Sequence, residues 1–429
     1  MSNIINVLVF PCGSEPASEI YFALKRSLHV KLFGASSVDD HGRFIFENYI
    51  ADVPRIDDPS FINYFKNLIS ELKIDVVFST HDSVNVTLSK ISNDSGFYLV
   101  NGNPTTAEIC RSKLKTYQVL KGADWLPKIF NSRLSEIEFP VIAKPDMGQG
   151  GNGVQLLNCK SDLDTLIGEA ENNWAIVEHL PGEEITVDCF TDWERELIWF
   201  GARSRDRVRA GISMRSRFVE ADIIIKKIAN EINSNICMRG PWFFQLKKDV
   251  LGAWKLLEVS SRIAGTMVAH RAKGINLPLM AIQDYMNRKQ ATISLANVKL
   301  IDRRLLTEAQ FDYFFNNVVI DFDDTIVCSK TGKAFPETMT FLYKMVELNK
   351  RIILVTRHAH NLNNSLKLAR ICPEIFSEII HLKKSEPKSS YVGKDSIFVD
   401  NHFPERLEVA NSIGCPVFDV DTLALIRWR

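Results

Sequence analysis

The 429-residue sequence lacks several features that would assign a protein to a class at once. Lys plus Arg and Asp plus Glu both number 52, so no overall charge favours nucleic acid or an acidic membrane. None of the eight cysteines stands in a Cys-x-x-Cys pair, which argues against a zinc site or a disulfide framework. No apolar run approaches the roughly 20 residues that span a bilayer. The N-terminal sequence MSNIINVLVF also lacks the basic and long apolar segments of a signal peptide. We therefore expect a soluble, cytoplasmic protein that binds neither nucleic acid nor membrane.

Internal repeats, coiled-coil heptads and low-complexity tracts are absent as well, and the length predicts two to four domains. In residues 1–102, short apolar runs alternate with helical patterns, which predicts a mostly parallel sheet with crossover helices. The predicted strands are 5–10, 30–33, 76–79 and 98–100, and the predicted helices are 15–27 and 60–72.

Residues 103–300 predict a second, α+β domain with much antiparallel sheet. A helix is predicted from 104 to about 122, and further helices at 160–172 and 219–235. The predicted strands are 141–144, 154–157, 175–178, 185–190, 196–201, 242–246 and 255–259. Residues 287–317 have irregular periodicity and are predicted to be a connector. A third, α/β domain is predicted at 317–429, with strands at 318–321, 352–356, 379–381 and 397–400.

The most specific local pattern is VVIDFDDT at 318–325, where an apolar strand ends in two carboxylates spaced i, i+2. Side chains two residues apart on a strand point the same way, so both carboxylates can face a metal ion and a substrate. By itself such a pair is more often an ordinary acidic strand end. Three later residues fit the same chemistry: Thr356 and Asp400 end further predicted strands, and Lys388 follows another.

A carboxylate nucleophile can form an aspartyl-phosphate, Mg²⁺ binds hard oxygen ligands, and a hydroxyl and a lysine can stabilise phosphoryl oxygens. In this order the residues resemble the four motifs of the haloacid-dehalogenase superfamily. The resemblance implies Asp321 as nucleophile and Asp323 as general acid/base, with Thr356 and Lys388 on the phosphate. It also implies Mg²⁺ bound by Asp321, Asp400 and the Asp323 carbonyl.

This resemblance covers residues 317–429, and the short segment between the first two motifs leaves no room for a large cap domain. One residue departs from the pattern. The family often carries an acidic residue directly after the fourth-motif aspartate, and this chain has Asn401. Glu405 is the nearby residue that could replace it through a water molecule.

A second constellation lies in the central region. Lys113 ends the sequence CRSK, and the predicted strand in FPVIAKP ends in Lys144, directly before GQGGNGV at 148–154. Four glycines between two strands predict a flexible hairpin whose N–H groups can surround phosphate oxygens, with a lysine charge at its base. The order strand–loop–strand excludes a Walker loop and argues against a dinucleotide fingerprint.

Oxygen ligands and a fixed positive charge follow downstream, in IVEHLPGEE at 176–184 and LLEVSSR at 256–262. Together with Gln245, the oxygen ligands could bind Mg²⁺ that bridges nucleotide phosphates. These motifs resemble the ATP-grasp superfamily over residues 1–300, and most closely its branch similar to carbamoyl-phosphate synthetase. The resemblance implies a Rossmann-like leading domain and a two-lobed ATP-grasp fold with ATP between the lobes.

The resemblance further implies roles for single residues. Lys113 and Lys144 would contact the phosphates, and a glycine loop would close over them; its glycines are Gly148, Gly150, Gly151 and Gly153. Glu178 would lie by the adenine and Glu184 by the ribose.

Gln245 and Glu258 would hold Mg²⁺, and Arg262 would steady the transferred phosphoryl group. The family's last metal motif usually reads Glu-x-Asn-x-Arg, whereas Ser260 stands here at the Asn position. An Asp commonly precedes the first lysine, and Ser112 stands there instead.

Two further features leave alternatives open. The arginine-rich segment RSRDRVRAG at 203–211 could bind a substrate carboxylate or phosphate, or could be a solvated charged loop. His81 and Asp82, after a leading-domain strand, could touch the substrate or form a structural pair.

These patterns predict an ATP- and Mg²⁺-dependent (alternatively Mn²⁺-dependent) carboxylate–amine or carboxylate–ammonia ligase that acts through an acyl phosphate. It would be fused to a phosphatase for a phosphorylated metabolite. The alternatives are a small-molecule kinase fused to that phosphatase, and a nucleotide-binding sensor in which catalysis has decayed. The sequence leaves open whether the chain forms a homo-oligomer.

Overall fold

The computed structural model describes residues 4–130, 137–148, 150–169, 173–209, 211–220 and 222–428. The chain divides into two compact units, Met1–Arg304 and Leu305–Arg429. The predicted boundary near residue 102 lies inside the first unit, and the second division falls within the predicted connector. Among the described residues, no helix is both long and apolar enough to cross a membrane.

The leading part of the first unit is a parallel sheet with strand order β3–β2–β1–β4–β5. The central strand is apolar on both sides because helices cover both faces, and its residues divide between two core clusters. The elements are β1 (Ile5–Phe10), α1 (Glu15–Leu24), β2 (Val30–Ala35), α2 (Gly42–Ile45), β3 (Asn48–Ile50), α3 (Phe61–Leu72), β4 (Val76–Ser79), α4 (Asp82–Ser89) and β5 (Tyr98–Leu99). The sequence did not predict α2, β3 or α4, which are short.

The helix predicted from 104 to about 122 is two helices, α5 (Pro104–Arg111) and α6 (Lys113–Val119). Ser112 lies between them in an extended conformation, with φ −112 and ψ 120. Its hydroxyl accepts a hydrogen bond from the N–H of Lys115 at 3.1 Å, so the serine is the N-cap of α6. The break places Lys113 at the start of a helix rather than in the middle of one.

An antiparallel sheet with strand order β6–β9–β7–β8 follows. Its inward side chains pack with leucines of α7 in one core cluster. The elements are β6 (Ile129–Phe130), β7 (Val141–Pro145), β8 (Gln155–Leu157), α7 (Lys160–Glu169) and β9 (Trp174–Glu178). The end of the predicted helix 160–172 lies outside the described residues.

A larger antiparallel sheet has the order β12–β13–β11–β10–β14–β15, with β16 paired to β13. The strands are β10 (Glu184–Thr191), β11 (Leu197–Ser204), β12 (Arg207–Arg209), β13 (Ile212–Val219), β14 (Gly240–Lys248), β15 (Trp254–Ser260) and β16 (Leu300–Asp302). The helices are α8 (Ile223–Asn235), α9 (Val268–Ala272) and α10 (Leu277–Tyr285). Part of the predicted connector 287–317 is therefore a strand of this sheet, and the interpretation of that part as a connector was wrong.

The two faces of this sheet differ sharply. Val187, Trp242, Phe244 and Leu246 lie in one core cluster with the apolar stripe of α8. Because side chains alternate along a strand, the intervening residues of β10 and β14 point to the opposite face. This face is polar around Gln245 and apolar at Phe190 and Phe243, which belong to another core cluster.

The second unit contains a parallel sheet with strand order β20–β19–β18–β21–β22. The strands of this sheet are β18 (Asn317–Ile320), β19 (Arg351–Thr356), β20 (Glu378–His381), β21 (Ser396–Val399) and β22 (Val417–Phe418). Two further strands, β17 (Ala309–Gln310) and β23 (Ile426–Arg427), pair with each other. The helices are α11 (Pro336–Glu347), α12 (Leu362–Leu368) and α13 (Phe403–Ile413), with 3₁₀ turns at Pro373–Ile375, Lys388–Tyr391 and Val420–Thr422. Apolar clusters lie on both faces of the sheet, so its central strands are buried.

Candidate functional site

The predicted metal ligands of the first unit lie side by side on the polar face of the large sheet. Gln245 on β14 is the register partner of Glu258 on β15, and Thr186 on β10 is the register partner of Gln245 on its other side. Arg203 on β11 continues the same row. Directly opposed residues of antiparallel strands share a face, so the row is a polar strip across four strands.

Three of the residues predicted to bind ATP or Mg²⁺ are half-buried, and their side chains make no hydrogen bond to any other described residue. They are Lys144, Gln245 and Glu258. Burial lowers the pKa of Lys144 to about 8, and the charge of Glu258 opposes that shift. A cation, an amide and a carboxylate are therefore available here to a ligand, with no described side-chain hydrogen bond to be broken first.

Lys113 lies under the glycine loop. Its Nζ donates to the carbonyl oxygens of Pro145, Asp146 and Gly148 at 3.2, 3.3 and 3.1 Å. Burial lowers the pKa of Lys113, and Glu258 opposes this effect most strongly. In this arrangement the ammonium group anchors the base of the loop.

The glycine loop depends on left-handed backbone conformations. Gly150, Gly151 and Gly153 have φ values of 62, 75 and 74, which favour glycine, and Gln149 lies outside the described residues. A second loop comes very close: a Cβ placed on Gly211 would lie 2.4 Å from the Gly150 Cα. A side chain at Gly211 would therefore separate the two loops.

A pocket of about 460 Å³, partly open to solvent, brings several predicted residues together. The predicted residues in its lining are Lys113, Gly148, Gly150, Glu258 and Arg262. Other lining residues are Asp82, Cys110, Arg111, Thr116, Tyr117, Val259 and Ser260. Predicted residues outside the lining are Lys144, Gly151, Gly153, Glu178, Glu184 and Gln245.

The two glutamates predicted for adenine and ribose have partners within the protein. Glu178 Oε1 accepts the backbone N–H of Lys128 at 2.7 Å. Glu184 forms an ion pair with Arg205 at 2.6 Å, and Arg205 also donates to the Gly211 carbonyl at 2.9 Å. Arg205 thus connects the large sheet to the loop that contacts the glycine loop.

The arginine-rich segment is largely committed to acidic partners. Arg203 is buried, and its Nε donates to Asp188 at 2.6 Å; Asp188 also hydrogen-bonds His270 at 2.9 Å. Arg207 pairs with Asp302. Arg203 is therefore part of an internal polar network rather than of a solvated loop, and Ala210 lies outside the described residues.

In the second unit, the predicted residues gather at the carboxyl ends of adjacent parallel strands. Asp321 directly follows β18, Thr356 ends β19 and Asp400 directly follows β21. These three side chains are buried, as is Lys388. The carboxyl edge of a parallel sheet is where ligands of such folds bind.

Lys388 joins the two aspartates. Its Nζ donates to Asp321 Oδ1 at 2.6 Å and to Asp400 Oδ2 at 2.7 Å. Burial raises the pKa of Asp321 to about 6, which Lys388 opposes and Asp400 reinforces. Burial alone would lower the pKa of Lys388, but both carboxylates outweigh it and raise that pKa.

Asp323 has a partner that the sequence analysis missed. His358 Nδ1 lies 2.9 and 3.0 Å from the two carboxylate oxygens of Asp323, and its Nε2 lies 2.7 Å from Ser365 Oγ. The His358 side chain is only 8% exposed, so the imidazole is held in this orientation. Its position two residues after Thr356 was the available signal.

The residues around the fourth motif are also engaged. Asn401 Oδ1 accepts from the Thr325 hydroxyl at 3.1 Å. Glu405, considered above as a substitute acid, forms an ion pair with Arg357 at 2.6 Å. Its carboxylate is therefore committed to Arg357 in this structure.

Comparison with known proteins supports the ATP-grasp interpretation of the first unit. A family model described as "ATP-grasp in the biosynthetic pathway with Ter operon" matches residues 170–304. A formate-dependent phosphoribosylglycinamide formyltransferase of Prochlorococcus marinus (strain MIT 9312) is 28% identical over 134 residues, 29% of this chain and 34% of that protein. The chain thus spans about a third of the length of the curated relatives it matches.

Two solved structures share the fold. One is the biotin carboxylase domain of Hydrogenobacter thermophilus 2-oxoglutarate carboxylase, in complex with MgADP, ADP and bicarbonate: TM-score 0.58, 14% identity, covering 70% of this chain and 73% of that chain. The other is the L-amino acid ligase of Bacillus licheniformis: TM-score 0.54, 18% identity, 68% and 76% coverage. Both alignments are far longer than the second unit, so they include most of the first.

Proposed function

We propose that the first unit, with its ATP-grasp-like fold, is an ATP-dependent ligase that joins a small carboxylate to an amine or ammonia. The observation that carries the proposal is the group of half-buried side chains without hydrogen-bond partners among the described residues, Lys144, Gln245 and Glu258. A bound nucleotide with its metal ion would satisfy all three, because phosphate oxygens pair with an ammonium group and a metal ion with oxygen ligands.

The side chains fit Mg²⁺·ATP by their chemistry. Gln245 and Glu258 offer the oxygen ligands that Mg²⁺ prefers, and Lys144 and the N–H groups of the glycine loop suit phosphate oxygens. Bound Mg²⁺ would neutralise phosphate charge during transfer. Lys113 would keep the loop in place from below, and Arg262 would lie beside the transferred phosphoryl group.

The reaction would proceed in two steps. A substrate carboxylate oxygen attacks the γ-phosphorus of ATP, the bond to the bridging oxygen of ADP breaks, and ADP leaves. The amine nitrogen then attacks the acyl carbon, the carbon–oxygen bond to phosphate breaks, and the nitrogen loses a proton. The unit contributes positioning and electrostatic stabilisation, which are the main demands of phosphoryl transfer.

The names of the similar proteins suggest which carboxylates to test first. Mg²⁺·ATP would be incubated with formate, bicarbonate or the L-amino acids, each with and without ammonia or a primary amine. ADP, phosphate and product mass would be measured for the wild type and Lys144→Met. Amine-dependent phosphate release with an amide product supports the ligase. A stable phosphorylated product supports the kinase instead, and nucleotide binding without turnover supports the sensor.

We further propose that the second unit is a Mg²⁺-dependent phosphatase of the haloacid-dehalogenase type. The observation that favours it is the grouping of Asp321, Thr356 and Asp400 at adjacent strand ends, with Lys388 between the two carboxylates. Asp321 and Asp400 are the side chains that would hold Mg²⁺, with the Asp323 carbonyl. All eight cysteines are free, which fits a reducing, cytoplasmic setting for both activities.

In the phosphatase reaction an Asp321 oxygen attacks phosphorus while the ester oxygen leaves, taking a proton from Asp323. A water molecule, deprotonated by Asp323, then releases phosphate from the aspartyl ester. Hydrolysis of p-nitrophenyl phosphate with Mg²⁺ tests this proposal. Activity in the wild type that disappears in Asp321→Asn supports it, and activity that persists in the variant contradicts it.

A further inference from the structure

The two positions at which the first unit departs from the ATP-grasp motifs share a structural feature. Each is a serine, and each donates its hydroxyl to an aspartate from another part of the chain. Ser112 Oγ donates to the Asp146 carboxylate at 2.9 and 2.8 Å. Ser260 Oγ donates to Asp82 Oδ1 at 2.7 Å. An acidic group is therefore present at both places, although the motif residue itself is a serine.

The first of these aspartates has a local role. Asp146 directly follows β7, and its Oδ1 also accepts the N–H of Leu114 at 2.8 Å. It therefore fixes the start of α6, the helix that begins with Lys113. This pair shows how a carboxylate from another element can restore an anchoring function at a substituted motif position.

The second aspartate reaches the catalytic motif from the leading sheet. Asp82 is the first residue of α4, three residues after the end of β4 at Ser79. Its second oxygen, Oδ2, forms an ion pair with Arg262 Nη2 at 2.9 Å. The Asp82 and Arg262 side chains are 14% and 18% exposed, and both line the pocket.

The guanidinium group of Arg262 is constrained from several directions. Besides the ion pair with Asp82, its Nη1 donates to the Ile263 carbonyl at 3.2 Å, and the group lies 5.4 Å from the centre of the Phe243 ring. Burial would raise the pKa of Asp82, but Arg262 and the Ser260 hydroxyl outweigh it and hold that pKa below its usual value. Asp82 is thus a charged partner for the arginine at neutral pH.

We propose that Asp82 is the positioning residue of the ligase site: it holds Arg262 in the orientation that meets the transferred phosphoryl group. Its other oxygen accepts the hydrogen bond that the Ser260 hydroxyl donates, which fixes the carboxylate beside the arginine. This inference rests on the proposed ligase function. Helix α4 thereby supplies the carboxylate on which the orientation of Arg262 in the Glu258-x-Ser260-x-Arg262 motif depends.

The physical argument concerns preorganisation. An arginine side chain has many rotamers, and ordering it during the reaction costs conformational entropy. A guanidinium group that is already held by an ion pair stabilises the transition state without reorganisation. Removing Asp82 should therefore weaken the interaction with the transferring phosphoryl group and leave ground-state nucleotide binding nearly unchanged.

The test uses the full-length protein and a probe that requires no knowledge of the carboxylate. Affinities for Mg²⁺·ADP, with and without aluminium fluoride as a mimic of the phosphoryl group in flight, would be measured by calorimetry. The variants are Asp82→Ala, Asp82→Asn, Arg262→Ala and the Asp82→Ala/Arg262→Ala pair. Asp94→Ala, an exposed aspartate of the same leading region, is the matched control.

We expect Mg²⁺·ADP to bind all variants within about twofold of the wild type. The extra affinity conferred by aluminium fluoride should fall about tenfold or more in Asp82→Ala and in Arg262→Ala, and the double variant should be no weaker than Arg262→Ala. Asp82→Asn, which retains the shape and an oxygen acceptor, should lie between wild type and Asp82→Ala, and it carries the test if the alanine variant unfolds.

The outcomes separate the two claims. A wild type that does not bind Mg²⁺·ADP overturns the proposed function, and the role of Asp82 with it. A wild type that binds the mimic tightly while Asp82→Ala and Asp82→Asn bind it equally well overturns only the role of Asp82. Losses in the single variants that multiply in the double variant would also contradict it, because Asp82 would then act independently of Arg262.

Discussion

The two candidate sites differ in how their charges are balanced. In the first unit, Lys144 on β7 and Glu258 on β15 are half-buried and have no side-chain hydrogen bonds to other described residues. In the second unit, Lys388 is bonded to both Asp321 and Asp400 within 2.7 Å, so these charged groups are already paired with one another inside the site. The named side chains of the first site are therefore unpaired among the described residues, whereas those of the second are paired with one another.

The difference explains how substitutions should act in each site. A side chain without internal partners contributes mainly through ligand binding, so its removal should affect activity more than stability. A buried ion pair is different, because removing one partner leaves the other charge unpaired. The following predictions test this contrast, from the largest expected effect to the smallest.

Asp321→Asn should abolish p-nitrophenyl phosphate hydrolysis, with a loss of roughly a thousandfold or more, because an amide cannot serve as the nucleophile. It should also change the melting temperature, because Lys388 loses one of its two charged partners and keeps only Asp400. Calorimetric Mg²⁺·ADP binding is the control and should be unchanged. Loss of nucleotide binding in this variant would show that the two sites are not independent.

Lys144→Met should reduce substrate-dependent ADP release about a hundredfold, because a charge positioned toward phosphate oxygens is lost. Its melting temperature should not fall, since a half-buried ammonium group without a hydrogen-bond partner is replaced by an apolar side chain of similar length. Lys160→Met, at an exposed lysine, is the matched control. A large decrease in the melting temperature of Lys144→Met with unchanged ADP release would contradict the prediction, because Lys144 would then stabilise the fold rather than bind a ligand.

His358→Ala should slow phosphate release about tenfold or more, because Asp323 loses the imidazole that orients it as general acid/base. Trapped phosphoprotein should increase if the second step, in which water must be deprotonated, is slowed more than the first. His358→Asn, whose amide can donate from nearly the same place, should restore part of the rate. His360→Ala is the neighbouring control. If all three variants released phosphate at the same rate, the proposed role of His358 would be wrong.

Mg²⁺·ADP affinity should depend on pH through Lys144, whose pKa is lowered to about 8. The ammonium form, which phosphate prefers, is about 90% populated at pH 7 and about 10% at pH 9. Affinity should therefore stay level below pH 7 and decline by up to about tenfold between pH 7 and 9. Lys144→Met should not show this decline. A variant that retains the full decline would assign the titration to another group.

Periodicity alone predicted much of the fold. Buried strands with continuous apolar runs, such as β1 and β4, were predicted with the bounds that the structure shows. Short elements such as α2 and α4, of four and eight residues, were missed because one or two turns carry too few apolar positions to show a period. The break at Ser112 was missed because it depends on Asp146, which is remote in sequence and hydrogen-bonded to the serine.

In the candidate sites, single residues could be predicted from the sequence, but contacts between elements could not. Lys144, Glu258, Asp321 and Asp400 could be named from the sequence, because each stands at or near the end of an apolar strand, where backbone geometry directs side chains to one edge. Neither the His358–Asp323 contact nor the commitment of Glu405 to Arg357 could be predicted, since each joins residues on different elements.

The amino-acid order by itself determined the local features of the most apolar strands: where they begin and end, and which residue types stand at their ends. Only the tertiary structure decided which of those side chains have partners. It joins Asp82 to Ser260 and Arg262 across 178 residues of chain, and it leaves Glu258 without a hydrogen bond to the other described residues. The physical reason is that hydrogen bonds and ion pairs depend on separations of about 3 Å in space, which packing sets and sequence distance does not.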